Sequence, residues 1–211
     1  MEKIGEGYYY DVFELSPSRV VKKQTSLESR LAKLQAWYGS NPPLLAEKIS
    51  RLEASARKSI TISREVAEIP ELKEILGNPI FINDYEYEQD RATPLETILS
   101  QKGGDEFLPY VKEYTDAHIL LWDFGCGEVV YNFTLNAGVS VTTGKVVLLD
   151  FNDLSKDRGE VVRDIETRKW TTQVSLQRLK QTNPSLHIRT ETLLDEGFTL
   201  ETLNKHWGSR L

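Results

Sequence analysis

The chain has 211 residues, 39% of them apolar and 27% charged, with a formal net charge of −6. That composition suits one large folded unit or two packed lobes, and the acidic balance argues against a nucleic-acid or anionic-membrane partner. The lone Cys126 excludes an internal disulfide; without a leader-like apolar segment or a long apolar span, the expected compartment is a reducing cytoplasm. Cys126 has no neighbouring histidine and reads as a packing residue, and His118, His187 and His206 lack metal-ligand spacing.

From the N-terminus, Gly5-Glu6-Gly7 leads into β-favouring residues, a Ser-Pro-Ser turn and Arg19-Val20-Val21-Lys22-Lys23, a pattern that predicts three strands in a meander. Two closely spaced glycines let backbone approach phosphate oxygens. Helices follow over Leu27 to Trp37 and Leu44 to Glu68, separated by Gly39-Ser40-Asn41-Pro42-Pro43. In the second, Leu45, Ile49, Leu52, Ala56, Ile60 and Ile62 or Val66 form a stripe expected to pack on the strands. Phe81 to Gln89 alternates like a strand or hairpin and runs through Asp90-Arg91-Ala92-Thr93-Pro94 to a short helix, Leu95 to Gln101.

Lys102-Gly103-Gly104-Asp105 reads as a break, and Glu106 to Trp122 as a helix with core-like spacing of Phe107, Tyr110, Val111, Tyr114, Ala117, Leu120 and Leu121. Gly125-Cys126-Gly127 ends it. Leu135 to Val141 and Val146 to Leu149 then predict a small hairpin around Thr142-Thr143-Gly144-Lys145. It carries Asn136 at one end and Asp150, at a strand terminus, at the other, so an amide and a carboxylate are expected to face one pocket. Helical runs around Val161 to Lys180 and Leu200 to Trp207 close the chain, with breaks at Asn183-Pro184 and Gly197.

The order of these features resembles the protein-kinase-like fold. Gly5, Gly7 and Val12 resemble its Gly-rich loop, with Tyr10 in place of the third glycine; Asp150-Phe151-Asn152 resembles its D-F-G triplet, and Asn136 the Asn that closes its catalytic loop. The resemblance implies an α+β, two-lobed architecture. Residues 1–89 would form an N-lobe of antiparallel sheet plus long helix, and 90–211 a mainly helical C-lobe. It further implies that Lys22 or Lys23 contacts ATP phosphates, that Glu65 (or Glu68) holds that lysine, that Glu88, Gln89 and Asp90 offer main-chain groups to adenine, and that Asn136 and Asp150 hold Mg²⁺.

The catalytic loop departs from the family pattern. Where the family has its catalytic Asp this chain has Tyr131, or Asn132 if the loop is one residue shorter, and neither a phenol nor an amide serves as a carboxylate base at neutral pH. Asp123-Phe124-Gly125 also mimics the triplet, but counting back by the same spacing reaches Pro109 and no Asn. The C-terminal part is too short for a full protein-kinase lobe and lacks A-P-E, which makes it more similar to compact bacterial and small-molecule kinase-like proteins. Two functions follow from the resemblance. One is an atypical ATP-dependent phosphotransferase, with Asn132 orienting an unknown acceptor hydroxyl and Asp150 on the metal. The other is a pseudokinase acting as a nucleotide-binding or scaffold module for a partner protein. An unrelated α+β domain is the remaining alternative.

Overall fold

The structure, a computed structural model, describes residues 1–102, 104–150 and 153–211, and for residues 51–59 the backbone alone. The fold is α+β. Strands β1 (Lys3–Glu6), β2 (Tyr10–Ser16) and β3 (Arg19–Gln24) form the expected meander. Pro17 pre-sets the turn between β2 and β3, and the Ser16 hydroxyl accepts from the Ser18 N–H at 3.3 Å.

Helix α1 (Leu27–Tyr38) starts where the Ser26 side chain accepts from the Ser29 N–H. Helix α2 (Pro42–Ala67) begins with two prolines after Asn41, whose side chain accepts from the Leu44 N–H. Among the described residues, the expected stripe on α2 is buried at its C-terminal end. Ile62, Val66 and Ala67 are buried with Tyr10 and Tyr87 of the sheet, whereas Ile49 is exposed. The side chains of Leu52 and Ala56 lie outside the described residues. A short helix, α3 (Pro70–Lys73), leads to the hairpin β4 (Ile80–Asn83) and β5 (Glu86–Asp90). The five strands form one antiparallel sheet in the order β1-β2-β3-β5-β4.

The rest is mostly helical, around two small ribbons. Strand β6 (Ala92–Pro94) is followed by α4 (Leu95–Lys102) and α5 (Gly104–Asp123). Of the predicted break, Lys102 belongs to α4 and Gly104 and Asp105 to α5, while Gly103 lies outside the described residues. Along α5, Phe107, Val111, Tyr114, His118 and Leu121 are buried at alternating steps of four and three, the period of a helix with one face in the core. Then come β7 (Gly127–Glu128), the turn-long α6 (Phe133–Asn136), β8 (Ala137–Ser140), β9 (Val146–Leu148) and β10 (Leu154–Ser155). β6, β8 and β9 make one antiparallel ribbon and β7 with β10 another.

The chain closes with α7 (Arg158–Glu166), a 3-10 turn (Lys169–Thr172), α8 (Val174–Thr182), α9 (Pro184–Gly197) and α10 (Leu200–His206). Helix α9 occupies a stretch from which the sequence yielded only its boundary residues. Its buried face, Leu186, His187, Thr190 and Leu194, is half polar and weakens the apolar period. In the C-terminal half an aromatic core joins Tyr114, Trp122, Tyr131, Trp170 and Phe198. Among the described residues no helix is long and apolar enough to cross a membrane.

Candidate functional site

Three remote segments meet at Leu149. Its N–H donates to the carbonyl of Asn136 at 2.7 Å, and its own carbonyl accepts from the Lys22 ammonium. The residue after it is Asp150. Asn136, Asp150 and Lys22 are thus gathered at one end of the β8–β9 hairpin, against the inner face of the five-stranded sheet. Asn136 is the last residue of the helical turn α6, one position before the strand expected to contain it. Phe151 and Asn152 lie outside the described residues.

Strand alternation decides between the two lysines. Lys22 points inward, buried, with its amine 5.7 Å from the centre of the Tyr87 ring. Burial lowers the amine to about 8, against the pull of the neighbouring Asp150 carboxylate. Lys23 points outward and pairs with Glu86 at 3.0 Å, so it is removed from the candidate site. Glu65 does not hold Lys22; it is an exposed partner of Lys156. Glu68 is exposed too and lines a separate cavity of about 490 Å³ with Arg64, Phe81 and Tyr85.

The expected adenine-binding segment is also displaced. Glu88 pairs through its main chain with Val21 on one side and Ile80 on the other, Gln89 pairs with Val20, and the Asp90 N–H donates to the Gly77 carbonyl at 2.7 Å. All three are ladder positions within β5, not an open connection. Glu88 and Asp90 bind Arg19, at 3.5 and 2.8 Å. The buried Gln89 amide donates to the Leu76 and Leu148 carbonyls, each at 2.8 Å. These side chains tie the sheet to its neighbours.

Gly5 lies in β1 opposite Val12, and Gly7 forms the tight loop, donating its N–H to the Tyr10 carbonyl at 2.7 Å. A Cβ on Gly7 would crowd that carbonyl at 3.3 Å. The loop is held from α1: Lys33 reaches the Gly7 carbonyl at 2.7 Å and the Glu6 carboxylate at 2.6 Å. Lys33 and then Lys3 hold Glu6 down at about 2.

Neither substitute for the missing catalytic Asp is poised as a base. Tyr131 is fully buried at φ 59°, stacked on His118 with ring centres 5.6 Å apart and edge-on to Phe198 at 5.3 Å. Burial pushes its phenol well above the ordinary range, and its hydroxyl has no hydrogen-bond partner among the described residues. The Asn132 side-chain oxygen is engaged by the Ser175 hydroxyl. Sequence reasoning missed two carboxylates here. Glu128, completely buried, accepts from the Asn136 amide at 3.1 Å through Oε1, and its Oε2 receives Tyr114 at 3.1 Å and meets His118 Nε2 at 2.7 Å. Asp153 is pushed up to about 8 by burial and then by Asp150 and Glu128. No sequence spacing announces Glu128, because the turn at Gly125-Cys126-Gly127 separates it from His118.

Asp150 and the Asn136 oxygen are hard donors of the kind Mg²⁺ takes, and the Asn136 amide nitrogen is already committed to Glu128. Among the described residues no group of three or more His, Cys, Asp or Glu side chains forms a self-sufficient metal site. The other D-F-G look-alike is structural: Asp123 accepts from His206 at 2.8 Å and Ser209 at 2.6 Å and fastens the C-terminus. Cys126 is buried, and burial lifts its thiol to about 12, as suits a packing residue. Compared with models of known protein families and with curated proteins, the chain matches none.

Proposed function

We propose that the chain is an atypical kinase-like protein that binds Mg-ATP between an N-terminal sheet lobe and a helical C-terminal lobe. The observation that carries this reading is the Leu149 node, which joins Asn136, the residue before Asp150, and the buried Lys22 through two hydrogen bonds. Further support comes from the sheet order, with a long helix between the third and fourth strands, and from the antiparallel pairing of β7 with β10 on either side of the candidate loop. In this reading Lys22 neutralises ligand phosphate, Asp150 and Asn136 hold the metal, and Glu128 orients the Asn136 amide. Held by Asp150 and the Asn136 oxygen, Mg²⁺ would supply positive charge that stabilises the ligand phosphates. General-base help is worth about 10²- to 10⁴-fold, so the missing Asp slows transfer to an acceptor hydroxyl without forbidding it.

A second reading, a pseudokinase that acts through a partner protein, is favoured by the burial of Tyr131 and the engagement of Asn132. The deciding experiment measures unfolding stability with and without Mg-ATP, then ATP turnover on a panel of hydroxyl acceptors. At a hundred times Kd the ligand adds about 2.7 kcal/mol, most of its metal-dependent part lost in Asp150→Asn. Stabilisation with turnover supports the phosphotransferase, and stabilisation without turnover the pseudokinase. No stabilisation by any nucleotide rejects both nucleotide-binding readings.

A further inference from the structure

Arg30 is 7% exposed, yet the Nε and Nη1 atoms of its guanidinium are buried without a hydrogen-bond partner, and it forms no ion pair among the described residues. It stands on α1, whose Lys33 grips the loop at Gly7 and which is joined to the same loop by the Thr25 N–H, a 2.8 Å donor to the Tyr9 carbonyl. The Thr25 hydroxyl is likewise buried and unpartnered. Helical side chains lean toward the N-terminus of their helix, which directs Arg30 back toward this junction.

A buried cation without a counter-ion is among the most costly things a fold can hold, and it is retained where an anion arrives to complete it. Tyr9 and Tyr10 both feel the charge of Arg30 and that of Asp150. The guanidinium and the carboxylate assigned to the metal thus both lie within electrostatic reach of the tyrosines of the Gly5–Tyr10 loop.

We propose that Arg30 is a phosphate-binding residue, taking a phosphoryl group of the ligand beneath the loop that begins at Gly5 and Gly7. This deepens the Mg-ATP reading and rests on it for the identity of the ligand. A planar guanidinium offers two parallel N–H donors to phosphate oxygens, a geometry an ammonium lacks, so Arg30 supplies direction where Lys22 supplies point charge.

The test compares wild type with Arg30→Met and Arg30→Lys by calorimetric titration with Mg-ATP, tripolyphosphate and adenosine, and by thermal unfolding of the free proteins. Arg30→Met is expected to lower affinity for tripolyphosphate and Mg-ATP about ten- to a hundredfold. Arg30→Lys falls in between, and adenosine binding is unchanged. The free Arg30→Met protein is expected to be at least as stable as wild type, because the uncompensated charge has gone. Wild-type phosphate affinity in both variants overturns the proposal, as does a wild type that binds no polyphosphate. A stability loss in Arg30→Met that Arg30→Lys restores without any change in affinity assigns a structural role and also overturns it. Arg30-dependent binding of tripolyphosphate with none of Mg-ATP keeps the anion site and removes the nucleotide reading. Binding of Mg-ATP that needs Lys22 and Asp150 but ignores Arg30 does the reverse.

Discussion

Glu128 and Arg30 are both buried charges, and their surroundings differ in one respect. Both carboxylate oxygens of Glu128 are met: Asn136, Tyr114 and His118 converge on them. His118 in turn gives its Nδ1 hydrogen to the Tyr114 carbonyl at 2.9 Å, which closes the circuit of contacts. Among the described residues no such circuit meets the Nε and Nη1 of Arg30. A saturated buried charge belongs to the architecture, whereas an unsaturated one lowers stability until something binds. Lys22 lies between the two, with one carbonyl partner and a carboxylate nearby.

The largest expected effect breaks the saturated side. Glu128→Ala strands a buried imidazole, a phenol and an amide, and should cost about 3–5 kcal/mol in urea unfolding. Replacing both partners, in His118→Leu with Glu128→Met, should recover a substantial part of that loss. A double variant no more stable than Glu128→Ala would mean that the network does not act as a unit.

The opposite sign is expected on the cationic side. Charging Lys22 inside the fold is costly because its amine falls from 10.5 to about 8, so Lys22→Met should stabilise the free protein at pH 7. The gain is about 2 kcal/mol once the lost bond to Leu149 is set against it. The same substitution should abolish stabilisation by Mg-ATP. A destabilised Lys22→Met that still responds to nucleotide would place Lys22 with Glu128, among the structural charges.

Lys22 and Asp153 shape the pH profile from opposite directions. Asp153 titrates near 3.8 unfolded and about 8 folded, so the folded state holds the extra proton between those values and stability falls as pH rises across them. For Lys22 the unfolded state holds the extra proton between about 8 and 10.5, so stability rises there as pH rises. Together the two contribute a minimum near pH 8. Asp153→Asn should remove its acid-side slope and Lys22→Met its alkaline-side slope, in urea unfolding series across pH.

How much of this was readable beforehand follows from what each feature depends on. The meander, the position of Asp150 after an apolar run and the α5 stripe are local patterns of period two or near four, and sequence carries them. The choice of Lys22 over Lys23 needs to know which face of β3 meets the core, and two adjacent lysines conceal that. β5 continues through Asp90 because Arg19 and Asn78 fasten its carboxylate from remote positions. For the same reason the expected hinge became ladder. Glu65 found Lys156 across 91 residues instead of the lysine on β3, and an exposed glutamate carries no mark of its partner. The Glu128 circuit and the bareness of Arg30 are facts of tertiary placement alone.

The smallest effect is expected where charge is solvated on both sides. Arg178 on α8 and Glu96 on α4 form an ion pair between the two helices, with side chains 59% and 40% exposed. Sequence separation makes the pair look important, since it bridges 82 residues, but water already satisfies each partner and salt screens their attraction. Arg178→Ala should cost less than about 1 kcal/mol in urea unfolding, and the cost should shrink in high salt. A loss comparable to that of Glu128→Ala would mean that long reach, and not desolvation, decides the worth of a charge in this fold. The contrast between Glu128 and Arg30 would then lose its physical basis.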